Sequence, residues 1–170
     1  MKLKNYLSAL GVVCLFASCS KELSLELAQP LLTKEEQFKK LVTSTAFQLR
    51  ACYSDIPVDY IENDSVITKE TNLWKYVSPY LKDDVNTFRT DNANVSIAQH
   101  TLKIPGNASE ILDRQYHIGT DESGVYMDFL DFDYLPLKYR LHELGPDYFV
   151  LAVAWKYDAT LYSRFETVTN

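Results

Sequence analysis

The chain of 170 residues is short of the residues that define several classes of protein. Its 3 cysteines are too few for a disulfide scaffold, and 5 glycines with 6 prolines exclude collagen-like and low-complexity chains. Positive charge is scarce too: 17 Lys and Arg face 23 Asp and Glu, a net charge of -6 at pH 7. Affinity for phosphate backbones needs a basic excess, so nucleic acid is not an expected partner. The apolar run from Leu7 to Ala17 falls well short of the roughly 20 residues that span a bilayer. The sequence lacks a G-x-S-x-G elbow, a P-loop and a dinucleotide fingerprint. What it has is a globular composition, 46% hydrophobic and 24% charged, of a length that suits one domain. It is also rich in rings, with 12 Tyr, 8 Phe and 2 Trp.

The N-terminus reads as an address. Lys2 and Lys4 precede the Leu7 to Ala17 run, giving the basic, apolar, small order of a secretory signal. Ala17 and Ser18 directly before Cys19 resemble a bacterial lipobox, with Phe16 where Leu is usual. The expectation is a lipoprotein signal peptide over 1–18, cleavage ahead of Cys19, and palmitate-type acylation of that cysteine. Cutting there removes 18 of 170 residues and 2 of 17 basic ones, so 152 residues remain with 15 basic against 23 acidic, a net charge of -8. The lipid on Cys19 is then the expected contact with the membrane, since two acyl chains hold a protein stably where one does not. Cys14 leaves with the signal and Cys19 is acylated, which leaves Cys52 alone and expected as a small buried hydrophobe.

A tether is expected over 19–32, and a domain over 33–170. Thr33-Lys34-Glu35-Glu36 has the capping-box form, and Phe38, Leu41 and Val42 come after it at helical spacing, so a helix is predicted from Lys34 to about Thr43. It should plug or abut one end of the strand-rich remainder of the domain. From Ser44 the period becomes two. Phe47, Leu49, Ala51 and Tyr53 alternate with Gln48, Arg50 and Cys52. Further strands are predicted near Val58 to Ile61, Asp84 to Thr90, Ala93 to Ala98, Thr101 to Ile104, Gln115 to Ile118, Gly124 to Phe132, Leu137 to His142, Tyr148 to Trp155 and Thr160 to Val168. Asp91-Asn92 reads as a two-residue hairpin turn. Pro105-Gly106-Asn107, Asp121 to Gly124, Gly145-Pro146-Asp147 and Lys156-Tyr157-Asp158 read as turns. Glu62 to Lys82 shows no clear period and reads as a loop across one mouth of the fold. Short, evenly spaced strands without intervening helices predict an all-β antiparallel up-and-down barrel or a sandwich, and exclude a parallel α/β sheet.

Two stretches carry a resemblance. Leu41-Val42-Thr43-Ser44-Thr45-Ala46-Phe47-Gln48-Leu49 resembles the opening of the lipocalin-like domain lipoproteins of Bacteroidota, where a Leu-Leu-Thr helix end runs into a Trp-containing strand. Lys82-Asp83-Asp84-Val85-Asn86-Thr87-Phe88-Arg89-Thr90-Asp91-Asn92 is similar to their Lys-Asp-Asp/Asn-Xaa-Tyr-Thr-Phe-Xaa-Xaa-Asp-Gly hairpin. Phe47, Asn86 and Asn92 depart from the usual Trp, Tyr and Gly. The resemblance covers Leu41 to the C-terminus. It implies an eight-stranded lipocalin-like barrel behind the short helix, no catalytic residues and no cofactor, and it points to the outer membrane. Lys21-Glu22 resembles the surface-export signal of the same bacteria, which implies an outward-facing protein.

Chemistry-bearing residues are sparse. His100, His117 and His142 sit on separate strand candidates without metal-site spacing, so no metal is expected. Asp128, Asp131 and Asp133 are interrupted by Phe and Leu where a calcium loop needs a flexible turn, and read as a solvated strand. Asn107-Ala108-Ser109 has the form of a glycosylation sequon and reads as a turn. The aromatics alone support a functional site: Trp74, Tyr76 and Tyr80 are candidate ligand-binding residues on a loop over the barrel mouth. Two functions fit. One is a non-enzymatic binding barrel for a small apolar or amphipathic ligand. The other is an accessory interaction subunit of an envelope complex, such as a glycan-handling system, with a filled barrel.

Overall fold

The computed structural model describes residues 31–62, 65–91, 93–103, 109–130 and 136–168, so the expected signal peptide, Cys19 and most of the tether lie outside the described residues. Helix α1, Lys34–Ser44, opens the domain. Its capping box is complete: the Thr33 amide donates to Glu36 Oε2 at 2.7 Å, and the Glu36 amide donates to Thr33 Oγ1 at 3.2 Å. One face of α1 buries Phe38 and Val42, and the other is charged.

The strands are, in chain order, β1 Ala46–Glu62, β2 Ser65–Asn72, β3 Val85–Phe88, β4 Asn94–Ala98, β5 Ile111–Asp121, β6 Gly124–Leu130, β7 Pro136–Leu144, β8 Tyr148–Ala154 and β9 Thr160–Thr167. A 3-10 turn, Trp74–Tyr76, and the short helix α2, Pro79–Asp83, connect β2 to β3. Each strand from β3 to β9 pairs antiparallel with the next, and β1 pairs with both β3 and β9. Eight strands thus close into an up-and-down barrel, as the eight-stranded expectation has it, and β2 lies outside the ring as a hairpin on β1. Closure removes the exposed edges that an open sheet of this size would present.

Several predicted segments differ from the structure. Phe47 to Tyr53 and Val58 to Ile61 are parts of one 17-residue strand. Pro57 falls between Ser54, the last residue paired with β9, and Val58, where continuous pairing with β2 begins, so its missing N–H costs no ladder bond. Thr101 to Lys103 is not a strand, and Ile104 lies outside the described residues. The Glu62 to Lys82 segment is no plain loop but β2, the 3-10 turn and most of α2. Between β3 and β4 the connection runs from Arg89 to Ala93, longer than a two-residue turn, and the positive φ falls on Ala93 (51°); Asn92 lies outside the described residues. The other turns form as read where they are described. Asp121 pairs with Gly124, whose φ is 106°, and the Gly145 amide donates to the Tyr148 carbonyl at 2.9 Å.

The alternation also shifts. Between Leu49 and Ala51 the register of β1 against β9 slips by one residue, a bulge that turns Cys52 and Ser54 inward and Tyr53 outward. Residues paired across antiparallel strands share a face, so the ladder Leu49, Phe165, Phe149, Leu144 points into the barrel, as does Cys52, Ser163, Leu151, Leu141. Phe38, Phe47, Met127 and Phe149 are fully buried, and Phe38 inserts edge-on against Phe149 with centroids 5.2 Å apart. The helix therefore plugs its end of the barrel.

Thr33→Ala should lower stability by about 1 kcal/mol in urea denaturation, since one capping acceptor is lost. Ala93→Gly should raise stability by roughly 0.5–1 kcal/mol in the same measurement, because only glycine occupies that φ without a Cβ penalty.

Candidate functional site

The interior is uneven. Along β5, Ile118 near the C-terminal end is buried, while the inward-facing Tyr116, Arg114 and Leu112 keep part of their surface accessible. Ile97, the partner of Leu112 on β4, is also half-buried, as are Asn86, Phe129 and Tyr139. These residues form one stretch of inner wall from β3 to β7. Phe129 and Tyr139 meet edge-on with centroids 5.6 Å apart. Burial pushes the Tyr139 phenol above its ordinary pKa, and the nearby charge of Arg114 pulls it back. The wall thus combines apolar side chains with a guanidinium and a phenol.

Beside this wall, where α2 enters β3, sits a buried carboxylate. Asp84 is 3% exposed and its Oδ1 has no hydrogen-bond partner among the described residues; the same holds for Asp83 Oδ1. The other Asp83 oxygen accepts from the Thr101 and Leu102 amides at 3.1 and 3.2 Å. Burial, and next the charge of Asp83, raise the Asp84 pKa to about 6, against a small opposing effect of His100. Gln99, also buried, donates from Nε2 to the Ser109 carbonyl at 2.8 Å.

The three predicted ligand residues lie at the end of the barrel opposite α1. Trp74 and Tyr76 are half-buried and pack, with Val77, on a small second core of Cys52, Val58, Leu73 and Ala159. The Leu73 amide donates to the Cys52 carbonyl at 2.9 Å, which pins the start of this segment to β1. Lys82 Nζ stands 4.9 Å from the Trp74 ring, and Lys75 Nζ 4.9 Å from the Tyr76 ring. Tyr80 lies on α2, half-buried. The segment is tied down by Gln48, whose Nε2 donates to the Lys82 carbonyl at 2.7 Å.

The same end carries exposed apolar side chains in an arc. Ile56, Leu81, Leu102, Ile111 and Trp155 are each 36% exposed or more. Asp55 Oδ1 accepts from the Ile56 and Thr160 amides, linking β1 to the start of β9, and Asp83 links α2 to Leu102. Sequence reasoning missed this arc because each residue is single in its own segment. At the helix end a surface cleft of about 540 Å³ runs between α1 and the β7–β8 turn, lined by Leu32, Lys40, Leu41, Leu144 and Pro146 among others. A second, of about 250 Å³, lies between Lys39, Thr43, Thr90 and Tyr116.

Several of the other described tyrosines pack on the outer face. Tyr53 and Tyr162 stack with centroids 5.0 Å apart, and the His142 ring meets Tyr162 at 4.7 Å. Tyr126 lies over Gly119, where a Cβ would come within 2.8 Å of its hydroxyl, and Lys138 Nζ covers the ring at 4.1 Å. His117 faces Asp128 at 3.8 Å, and His100 lies beyond the end of β4, not on a strand. Asp131 and Asp133, and Asn107 with Ala108, lie outside the described residues. Cys52 is buried and its thiol is pushed up by that burial. No protein-family model matches the chain, and no curated protein sequence matches it.

Asp84 makes stability depend on pH in a fixed direction. Its folded pKa lies above the ordinary 3.8, so stability falls as pH rises from about 3.8 to about 6 and stays low above that window. The ionised group then costs the fold on the order of 3 kcal/mol. Asp84→Asn should raise stability in urea at pH 7.5 and change it little at pH 3.5.

Proposed function

We propose that this protein is a non-enzymatic, lipid-anchored component of a bacterial cell envelope that holds a small apolar or amphipathic molecule inside its barrel. The observation that carries the reading is the inner wall. The helix half is filled by Phe38, Phe47, Phe88 and Phe149, while Ile97, Leu112, Arg114, Phe129 and Tyr139 face inward and stay partly accessible. An apolar wall with a few polar groups is the usual make-up of a small-molecule site. The order of charges, apolar run and small residues before Cys19 supports the anchor, and the barrel with its N-terminal helix agrees with the resemblance to the lipocalin-like lipoproteins of Bacteroidota.

A second reading has its own observation. The arc of Ile56, Leu81, Leu102, Ile111 and Trp155 suits an accessory subunit that docks this end of the barrel onto an envelope protein.

Both parts are open to test. Cys19→Ala should abolish palmitate labelling and release the chain from the outer-membrane fraction. Native protein extracted from the envelope should yield a bound small molecule by mass spectrometry. Recovery of a stoichiometric protein partner with no small molecule, lost in Trp155→Ser with Leu102→Ser, would favour the second reading.

A further inference from the structure

Exposed apolar side chains are ordinary where they are scattered singly over a surface, and here they are not scattered. Apart from Leu31 and Leu32 ahead of α1, the large hydrophobic side chains exposed among the described residues are Ile56, Leu81, Leu102, Ile111 and Trp155, and all five lie at the end of the barrel opposite the helix. They come one from each of five segments that follow one another round the rim: the connection after β8, then β1, α2, the connection after β4 and the start of β5. The same end sets three lysines against aromatic rings. Lys75 Nζ stands 4.9 Å from the Tyr76 centroid, Lys82 Nζ 4.9 Å from that of Trp74 and Lys156 Nζ 5.6 Å from that of Trp155. Trp and Tyr rings concentrate at the level of lipid headgroups, and a lysine beside them lays its methylenes along apolar surface while its ammonium stays in water. Exposed acids, Asp55, Glu110 and Asp158, stand among the lysines, so this end offers apolar insertion rather than attraction to anionic headgroups.

We propose that this end of the barrel rests on the bilayer that holds the Cys19 anchor, with Ile56, Leu81, Leu102, Ile111 and Trp155 dipping into the headgroup region of the lipid surface. This rests on the lipid-anchored reading of the N-terminus. The length of chain allows it. Leu32, beside the β7–β8 turn at the helix end, is 13 residues (32 minus 19) from Cys19, a reach of at most roughly 43–47 Å. β5, 11 residues long, runs from Ile111 at the apolar rim to Asp121 at the helix end, which for a strand tilted as in a barrel is about 26–30 Å. An acylated Cys19 therefore reaches the plane of the arc while the helix end points away from the membrane. Side chains presented singly by separate segments suit a fluid lipid surface, whereas a protein partner is gripped by a contiguous, packed core.

The test is tryptophan quenching in the mature lipidated protein on phosphatidylcholine nanodiscs whose acyl chains are either brominated close to the headgroup or left unbrominated. Trp74 and Trp155 are the 2 tryptophans of the chain, and both stand at this end. Bromination should lower their emission roughly twofold, as for rings held at headgroup level. Leu81→Ser with Leu102→Ser and Ile111→Ser, all at exposed positions, should abolish most of that quenching and leave the urea midpoint nearly unchanged, and Leu102→Ser alone should weaken the quenching in part. Undiminished quenching in the triple variant, or unquenched emission from the unaltered protein while it co-migrates with the disc, overturns the lipid assignment and leaves the arc to an envelope protein. An unacylated Cys19 in the mass spectrum shows instead that the anchor reading has failed, and the arrangement fails with it.

Discussion

The ring of Phe149 is where helix and barrel become one structure. It meets Phe38 of α1 at 5.2 Å, Phe47 of β1 at 5.0 Å, Phe165 of β9 at 5.1 Å and Phe88 of β3 at 6.4 Å. Elements from the two ends of the domain thus meet at one ring. Three of these pairs are edge-to-face and the Phe165 pair is stacked, and both arrangements add to the burial of large apolar surface. With that end filled, the barrel needs no disulfide to close, and any interior space is confined to the part of the wall away from the helix.

That asymmetry organises the polar residues. Near the helix the inward positions are mainly Phe, Met, Val and Leu; the inner face also carries Arg114, Tyr139 and Ser163. Buried polar groups are kept where they are hydrogen-bonded or where function holds them. Asp84 and Asp83 each leave one buried oxygen without a partner among the described residues, at the point where α2 joins β3. A stable plug and a polar, less closed opposite end are two consequences of the same distribution of side chains along each strand.

Much of the fold was legible in the chain. The capping box at Thr33 and Glu36, the start of β1, the turns at Asp121 to Gly124 and Gly145 to Asp147, and the closing pair Tyr148 to Ala154 and Thr160 to Thr167 all arise from local chemistry. The errors have physical causes. The bulge after Leu49 is invisible to a count of alternating residues, because it depends on how β9 pairs with β1, and it exchanged the faces of Cys52 and Tyr53. β2 was hidden because it lies outside the barrel ring, and its apolar Val66 and Ile67 are adjacent and do not alternate, so no period of two shows in its sequence. Trp74 and Tyr76 were singled out as aromatics in an irregular segment, and the fold places them on a second small core as well as at the barrel end.

The sequence by itself determined the class of fold, the helix that begins at Lys34, the turns at Asp121 to Gly124 and Gly145 to Asp147, and the net acidity, since these rest on residues close together in the chain or on composition. Only the tertiary structure decided which side chains face inward past the bulge, that Phe38 fills one end, and that Arg114 and Tyr139 share a wall. Those outcomes depend on register between strands far apart in sequence, where a slip of one residue exchanges the inside of a barrel for its outside.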